Sequence, residues 1–443
     1  MTTNQKALIL VTVLSLGASN LGFTQTSSDL DNTLRDEDEE PNQQSDIEAV
    51  EPVQPKPLRD KWFFQDAELI LKPRTYYLGR EYDVAPERQG WALGGSLEFN
   101  SGWWQDRLRL GGTLYTSQKL YGPDDKDGTQ LFKPGPESFT VLGEAYATIR
   151  LVDQHAVRVG RQAVDMPYLG KHDIRMVPNT FEAVTISSQP TTGFAYVGAY
   201  IDGIKRKNDD EFISMSEAAG AVGTDKGVSV AGARYKRSDG SLYGVVYQHS
   251  RDTFDTLFVK VEHRFGLTDD LSLWVDASYT DQDSNGDQLI GAFSTDLLSA
   301  KLELVFGPHK FRLGGSKTDE AKGIQKPYGN PANYLSVIVN DFDRAGEDGL
   351  MLGYSYSFGR IGPGDLSFFA NAVFGDTPDL GPIASPDQDE YNLTVDWRLK
   401  ESWSDRLWIR LRAAWIDQDE AQGGDDYFDG RVIINYDFDL LGD

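Results

Sequence analysis

The stretch RLWIRLRAAWI, residues 406–416, places three arginines within a run of Trp, Leu and Ile. Because successive side chains of a β-strand point to opposite faces, a strand here has two different faces. One face carries Leu407, Ile409, Leu411, Ala413 and Trp415, and the other face carries Arg406, Trp408, Arg410, Arg412 and Ala414. An arginine that faces lipid near the bilayer midplane costs about 2–4 kcal/mol, whereas one that faces water costs little. The stretch therefore predicts a strand with hydrocarbon on one side and a wet lumen on the other.

The same alternation recurs along the chain after residue 61. It is clearest in WALGGSLEF (91–99), LSLWVDASY (271–279), YNLTVDWRLK (391–400) and RVIINYDFDL (431–440). About nineteen segments of roughly ten residues fit the pattern, separated by Gly, Asp, Asn and Pro. Bacterial outer-membrane barrels close with an even number of strands, so one of the nineteen is expected to be miscounted.

A soluble β-sandwich also alternates, but three features favour a membrane barrel. The strands have the nine to eleven residues that a tilted strand needs to cross a bilayer. Aromatic residues cluster at strand ends, where an interfacial girdle would lie: Trp103, Trp104, Tyr76, Tyr77, Tyr354, Tyr356 and Phe358. The chain also begins like an exported protein without a membrane-spanning helix, and a closed barrel satisfies its backbone in lipid. We predict an all-β, transmembrane antiparallel β-barrel of about 18 strands in the cell outer membrane.

The N-terminus divides into two segments before the barrel. Residues 1–25 predict a signal peptide, with Lys6 ahead of the apolar run ALILVTVLSLGA. An N-terminal membrane anchor is the alternative, but the run is shorter than the roughly 20 residues that span a bilayer. Residues 26–60 are acidic and contain proline, which predicts a disordered linker or tail. Residues 61–443 then form the barrel domain.

Composition excludes several classes of function. The formal charge is −26, whereas phosphate binding needs a basic face, so we expect no nucleic-acid partner. There is no Cys, and the five His show no zinc-binding spacing. The calcium-like start DQDSNG (281–286) lacks the required Glu at position 292, which is Ala. We therefore predict no metal site, no cofactor and no enzymatic activity, and weak divalent binding by the acidic loops around Asp124 and Asp425 stays open.

Cations alternate with outward apolar residues in several strands. If Val141, Ala145, Ala147 and Ile149 face lipid, then Glu144, Tyr146 and Arg150 face the lumen. Arg158 likewise lies between Val157 and Val159. A lumen lined in this way lowers the energy of an anion in a narrow passage. The alternative is that these arginines pair with lumen acids, such as Glu98, Asp276 and Asp396.

Four stretches carry a resemblance to a known family. They are FFQDAELILKPRTYYLGREYD (63–83), WALGGSLEFNSG (91–102), HAVRVGRQAVDMPYLGKHDIRMVPNTFEAVTI (155–186) and YLSVIVNDFDRAGEDGLMLGYSYSFGRIGPGDLSFFANAVFGD (334–376). They resemble the OprD-type substrate-specific porins, and the likeness extends over about residues 61–441. The resemblance implies an eighteen-stranded monomeric outer-membrane barrel. Its pore is narrowed by inward-folded loops and lined by a basic ladder that guides small, carboxylate-bearing solutes.

By position, the resemblance also assigns residues to the pore. The segment from Asp165 to Pro178 corresponds to the family's constricting third loop, with Asp165, Tyr168, Asp173 and Arg175 at the narrowest point. The predicted basic ladder consists of Arg150, Arg158, Arg398, Lys400, Arg410 and Arg412. The chain departs from the family by ending in LLGD without a terminal aromatic residue, for which Phe438 can substitute, and by carrying the acidic N-terminal stretch.

The expected function is passive, substrate-selective diffusion of small anionic or zwitterionic solutes. We expect the protein to contact outer-membrane lipid and to be a monomer or a weak trimer. Two alternatives from other classes stay open. An outer-membrane lipid hydrolase would carry its nucleophile on the outer face near the aromatic girdle. A polymer exporter would need a wider basic duct and a periplasmic partner.

Overall fold

The computed structural model of the protein describes residues 66–188, 190–268, 270–399 and 406–441. Within these residues, eighteen long strands form one antiparallel sheet, in which β1 pairs with both β2 and β18 and so closes a barrel. The strands are β1 (Glu68–Tyr82), β2 (Arg88–Asn100), β3 (Leu108–Tyr121), β4 (Phe139–Val152), β5 (His155–Gln162), β6 (Thr180–Ser188), β7 (Gly193–Lys205), β8 (Val228–Lys236), β9 (Leu242–Ser250), β10 (Phe254–Thr268), β11 (Leu271–Ser284), β12 (Ser294–Phe306), β13 (His309–Thr318), β14 (Asp348–Ile361), β15 (Gly364–Asp376), β16 (Gln388–Leu399), β17 (Leu407–Gln418) and β18 (Tyr427–Tyr436). A two-residue extension, Phe438–Asp439, continues the pairing with β1. The expected barrel of about 18 strands is confirmed.

The two ends of the barrel differ in the length of their connections. One end carries the long loops, including residues 163–179, 206–227 and 319–347, and the other end carries short turns. Outer-membrane barrels place short turns on the periplasmic side and longer loops outside. The first described residue, Asp66, therefore lies at the periplasmic, short-turn end of β1.

The outward and inward faces follow the predicted alternation. Leu93, Leu313 and Leu411 are exposed on the outer face by 47%, 45% and 47%. Arg410 and Arg412, on the same strand as Leu411, are buried inside at 3% and 5% exposure. This partition places apolar side chains against hydrocarbon, where a charged group would cost several kcal/mol.

Two sequence expectations about faces are wrong. Val141 is buried on the inner face, and Leu142 is the exposed residue, because a bulge near Gly143 shifts the register between β3 and β4. A bulge adds one residue to a strand and thereby exchanges its faces. Tyr76, predicted for the outer aromatic girdle, is only 2% exposed and points inward.

Two long loops fold into the barrel and build an apolar core inside it. The constriction loop, residues 163–179, supplies Val164, Met166, Tyr168 and Leu169. The long inner loop, residues 319–347, supplies Ile324 and Tyr328. These residues pack on inward side chains of the β7–β12 wall, including Phe254, Phe258 and Leu297. One side of the lumen is therefore filled, and the remaining space lies along the other side.

Helical structure is minor in the described residues. A single α-helical turn, α1 (Met215–Ala218), begins at Ser214, whose hydroxyl accepts from the backbone N–H of Glu217. No helix among the described residues is long and apolar enough to cross a membrane. The predicted signal peptide and acidic tail, residues 1–60, lie outside the described residues and stay predictions.

Candidate functional site

A cavity of about 810 Å³ occupies the open side of the lumen. Its wall comes from β1–β5, β8, β17, β18 and the constriction loop. At the periplasmic end it reaches Asn100, Pro190, Thr191 and Lys236, which lie at strand ends or in turns. Its charged lining residues are Lys72, Arg74, Arg158, Lys171, Arg234 and Lys236 together with Glu98, Glu144, Asp165, Asp173 and Asp437. The cavity therefore holds slightly more cations than carboxylates, although the whole chain has a charge of −26.

The constriction loop is anchored to the filled side of the lumen. The hydroxyl of Tyr168 lies 2.8 Å from the hydroxyl of Thr280 on β11, and its ring meets the edge of Phe258 on β10. The side-chain amide of Gln248 on β9 donates to the carbonyl of Pro167 at 2.5 Å. Buried polar groups that are all paired in this way hold a segment in one position.

The same loop reaches β1 on the other side. Arg74 on β1 donates to both carboxylate oxygens of Asp173, at 2.7 and 3.1 Å. It also donates to the carbonyl of Arg175 at 2.6 Å and to Asn435 at 2.7 Å. A bidentate arginine–carboxylate pair is among the stronger polar contacts. The loop thus crosses the lumen from the β9–β11 wall to β1, as the predicted constriction requires.

The long inner loop holds the constriction loop from a second direction. Leu169 pairs with Tyr328 as a parallel bridge, and the N–H of Tyr168 donates to the carbonyl of Asn330 at 2.8 Å. The side chain of Asn330 then donates to Asp165 and accepts from the N–H of His172. These contacts join the two loops into one junction inside the barrel.

Three basic groups of the loops crowd near this junction. Burial lowers the pKa of His172 well below its usual range, and nearby Lys207 and Arg175 lower it further. Burial also lowers the pKa of Lys207 to about 7, and Arg175 adds to that shift. Burial, followed by Arg431, lowers the pKa of Arg175 to about 10. These basic groups therefore lie close together, and burial disfavours the charged form of each.

One edge of the cavity carries cations without carboxylate partners. We call Arg158 on β5 with Arg234 and Lys236 on β8 the open basic edge. Arg158 donates to the hydroxyl of Thr148 at 3.1 Å and stacks on the ring of Tyr146, 4.2 Å from its centroid. Among the described residues, no carboxylate lies within 4.0 Å of any cation of the open basic edge. Their charges face the cavity uncompensated by a direct ion pair.

The filled side of the lumen shows the opposite arrangement. We call seven of the charged side chains of β10–β13 the paired wall; they are Lys260, Glu262, Arg264, Asp276, Lys301, Glu303 and Arg312. Arg312 pairs with Glu303, and Lys301 bridges Glu303 at 3.0 Å and Asp276 at 3.5 Å. The four cations and three acids of the paired wall lie against one another, so their charges nearly cancel.

Most cations of the predicted ladder lie inside the barrel but away from the cavity. Arg410 makes two 2.7 Å hydrogen bonds to Asp396 and stacks on Trp408. Arg150 pairs with Asp106 at 2.7 Å near the periplasmic end, and Arg398 stacks 5.1 Å above the ring of Trp408. Arg412 is buried beside Arg431 in the strand register, and Lys400 lies outside the described residues. Of the six ladder cations, Arg158 lines the cavity described above.

The four predicted constriction residues divide into two pairs. Asp165 and Asp173 line the cavity, where Lys171 and Arg74 are their cationic partners. Tyr168 is 2% exposed and turned into the wall, so it anchors the loop. Arg175 is buried and donates to the carbonyls of Thr129 and Ile174. The pore roles of all four stay predictions.

The sequence contained a signal for the two cations that our interpretation omitted. In VSVAGARYK (228–236), Val228 and Val230 alternate with exposed Ser229 and Ala231, and continuing that period puts Arg234 and Lys236 on the inner face. Tyr235 between them is 51% exposed on the outside.

The comparisons with known proteins agree with this architecture. The sequence model of the outer membrane porin, OprD family, matches residues 61–440. Porin D of Pseudomonas aeruginosa is 22% identical over 413 residues, which is 86% of this chain and 93% of that protein.

Two solved structures have a similar fold. Pseudomonas aeruginosa OccK9 (OpdG) superposes with a TM-score of 0.77 at 21% identity, covering 85% of this chain and 100% of its own. P. aeruginosa OpdK, solved with vanillate, gives a TM-score of 0.75 at 20% identity with the same coverage. Family members are channels, which disfavours the lipid hydrolase and the polymer exporter. The chain thus belongs to the OprD family and is a substrate-specific porin of the bacterial outer membrane.

Proposed function

We propose that this porin selects small solutes carrying a carboxylate, and that the open basic edge is the part of the lumen that attracts it. The observation that carries the proposal is the absence, within the described residues, of a carboxylate within 4.0 Å of Arg158, Arg234 or Lys236. A cation whose charge is not matched nearby raises the local concentration of anions in a narrow, poorly screened passage. Cations of the paired wall already have protein partners and contribute little field to the cavity.

The spacing of the three cations suits passage better than retention. They lie on β5 and β8, which are separated by two intervening strands. Conduction requires attraction strong enough for entry but weak or distributed enough for release. A carboxylate that moves between Arg158 and Arg234 exchanges one partner for another, so no single position holds it tightly.

The side of the cavity that lies away from β8 can accommodate a second, positive charge on the solute. Asp437, just beyond β18, lines the cavity together with Trp408 of β17. Among the strands that line the cavity, β17 and β18 lie at the opposite end from β8. A zwitterion with its carboxylate near Lys236 can therefore direct its ammonium toward Asp437. The related porin OpdK was solved with vanillate, itself a carboxylate, which is consistent with this solute class.

Liposome swelling tests the proposal with pairs of solutes matched in size. Each pair consists of a small carboxylate and its primary amide. We expect the intact channel to pass the carboxylate faster, and Arg158→Gln/Arg234→Gln/Lys236→Gln to reduce that preference by roughly tenfold. The control Lys119→Gln/Arg251→Gln/Lys317→Gln removes the same charge from three exposed positions and should keep the preference. Equal rates for both solutes in the intact channel would refute the proposal.

A further inference from the structure

The constriction loop contacts β1 through an ion pair that is open to the cavity. Arg74 of β1 and Asp173 of the loop lie 2.7 Å apart, and both line the cavity. Their side chains are 21% and 31% exposed, whereas those of Arg312 and Glu303 in the paired wall are each 3% exposed. An ion pair that water reaches contributes little to stability, because water solvates the separated charges well. A solute in the cavity can therefore compete for this pair.

Two contacts orient the guanidinium of Arg74 independently of Asp173. Its Nε donates to the side-chain oxygen of Asn435 on β18 at 2.7 Å, and its Nη1 donates to the backbone carbonyl of Arg175 at 2.6 Å. Both acceptors are neutral, so they hold the group without cancelling its charge. The edge formed by Nη1 and Nη2 faces the two carboxylate oxygens of Asp173 at 2.7 and 3.1 Å. This edge has the geometry that accepts one carboxylate in a bidentate pair.

The side chain of Asp173 has fewer ties than that of Asp165, the other acid of the constriction loop. Asp165 accepts from the side-chain amide of Asn330 and also pairs with Lys171. Within the part of the chain that the structure describes, the carboxylate of Asp173 has Arg74 as its hydrogen-bonding partner and no second one. Asp173 can thus turn away from Arg74 without breaking another contact.

A solute carboxylate and the side chain of Asp173 would occupy the same edge of Arg74. They are the same chemical group, so replacement exchanges one bidentate contact for another of similar strength. Asp173 is held near Arg74 by the loop, which gives it an effective concentration on the order of a millimolar. A solute that has bound to Arg74 is therefore displaced again by a competitor that never diffuses away.

We propose that Asp173 is a release residue of the channel, which competes with the carboxylate of the solute for Arg74 and so prevents the solute from dwelling at the constriction. The inference rests on the proposed function, because it requires a solute with a carboxylate. Passage requires a site that binds strongly enough for entry and weakly enough for exit. The open basic edge meets this condition through the distribution of its cations, and Arg74 meets it through an internal competitor.

Liposome swelling over a range of solute concentrations tests this competition. Asp173→Asn keeps the shape of the side chain and removes its charge, so a carboxylate should stay longer on Arg74. We expect the concentration that gives half-maximal flux to fall about fivefold, and the maximal flux to fall by a similar factor, because dissociation becomes slower. The primary amide of the same solute should pass at an unchanged rate. Asp173→Glu restores a carboxylate on the loop and should recover values near those of the intact channel.

A matched ion pair outside the cavity provides the control. Lys133 and Asp210 of the outer loops lie 2.6 Å apart, and their side chains are 26% and 32% exposed, close to the values for Arg74 and Asp173. Asp210→Asn should leave the flux of both solutes unchanged. Asp173→Ser removes the carboxylate with a smaller side chain and should give the same result as Asp173→Asn, so the test does not depend on the folding of one variant.

The outcomes separate competition from a structural role of Asp173 and from the proposed function. If Asp173 only holds the loop, Asp173→Asn widens the constriction and raises the maximal flux of carboxylate and amide alike, which would overturn the inference. Unchanged values for the carboxylate in both charge-free variants would overturn it as well. In either case, a carboxylate preference of the intact channel that is lost in Arg158→Gln/Arg234→Gln/Lys236→Gln keeps the proposed function. If the intact channel shows no such preference, both proposals fail.

Discussion

The paired wall and the open basic edge both place Arg and Lys side chains on the inward face of one barrel. In the paired wall these positive charges are neutralised by neighbouring acids, whereas on the open basic edge they are not. On β10–β13, every charged side chain of the paired wall has an opposite charge close by, as Arg312 has Glu303. On β5 and β8, Arg158, Arg234 and Lys236 face a cavity without one among the described residues. The comparison teaches that an inward cation marks a solute path only where its neighbours leave its charge unmatched.

The largest expected effect comes from breaking the paired wall. Glu303→Gln leaves Arg312 and Lys301 without their shared carboxylate at a position that is only 2% exposed. Removing one partner of a buried ion pair costs about 3–5 kcal/mol, because the remaining charge stays buried. We expect a loss of this size in the free energy of unfolding, measured by urea titration in lipid vesicles.

The control for this prediction is an ion pair with solvent access. Glu182→Gln breaks the 3.0 Å pair with Arg161, in which both side chains are about 40% exposed. Pairs of that kind contribute about 0–1 kcal/mol. If the two variants lose equal stability, the paired wall is not the structural network that we describe.

The junction of the two inner loops gives the next effect. A Cβ added at Gly170 would overlap the side-chain amide of Asn330, which joins the long inner loop to Asp165. Overpacking of this kind costs about 1–3 kcal/mol, so Gly170→Ala should detach the constriction loop and increase single-channel noise and conductance. At Gly266 nothing lies within 4 Å of an added Cβ, so Gly266→Ala should have the same single-channel noise and conductance as the unmodified channel. An unchanged Gly170→Ala trace would contradict the role of this junction.

The open basic edge can be converted into a paired one by a single substitution. Ala195 on β7 lies directly opposite Arg234 in the strand register and is buried on the inner face. Ala195→Asp therefore supplies the missing carboxylate without removing a cation. A cross-strand opposite-charge pair contributes up to about 1 kcal/mol, so we expect the preference for carboxylate over amide to fall roughly fivefold. Ala195→Asn has the same shape, and an equal loss with it would show a steric effect instead.

The smallest effect is a dependence on pH. Because burial lowers the pKa of Lys207 to about 7, this side chain gains positive charge as the pH falls from 8 to 6. We expect the anion preference, measured as a reversal potential across a salt gradient, to rise about twofold over that range. In Lys207→Met the rise should become smaller. A preference that increases with pH would contradict the assignment.

The fold was predictable because each strand carries its own two-faced pattern. The alternation in residues 406–416 alone placed Leu411 outside and Arg410 inside, and both are confirmed. Val141 could not be placed, because the bulge at Gly143 exists only in the pairing of β4 with β3. A period of two says which residues share a face, but a local shift of register is a property of two strands together.

The candidate site was less predictable for the same reason. Arg410 has the same inward pattern as Arg234, yet the register sets Asp396 opposite Arg410 and sets Ala195 opposite Arg234. Whether a cation is matched depends on the neighbouring strand, which the alternation of one strand does not contain. Tyr168 was placed at the constriction from the resemblance alone, and its anchoring to Thr280, 112 residues away, required coordinates.

Diffraction from crystals soaked with a bromine-substituted carboxylate tests the central claim most directly. The account predicts anomalous bromine peaks in the cavity with the carboxylate within hydrogen-bond distance of Arg158, Arg234 or Lys236. Peaks along the paired wall, or a carboxylate that lies in the cavity with no contact to the open basic edge, would contradict it.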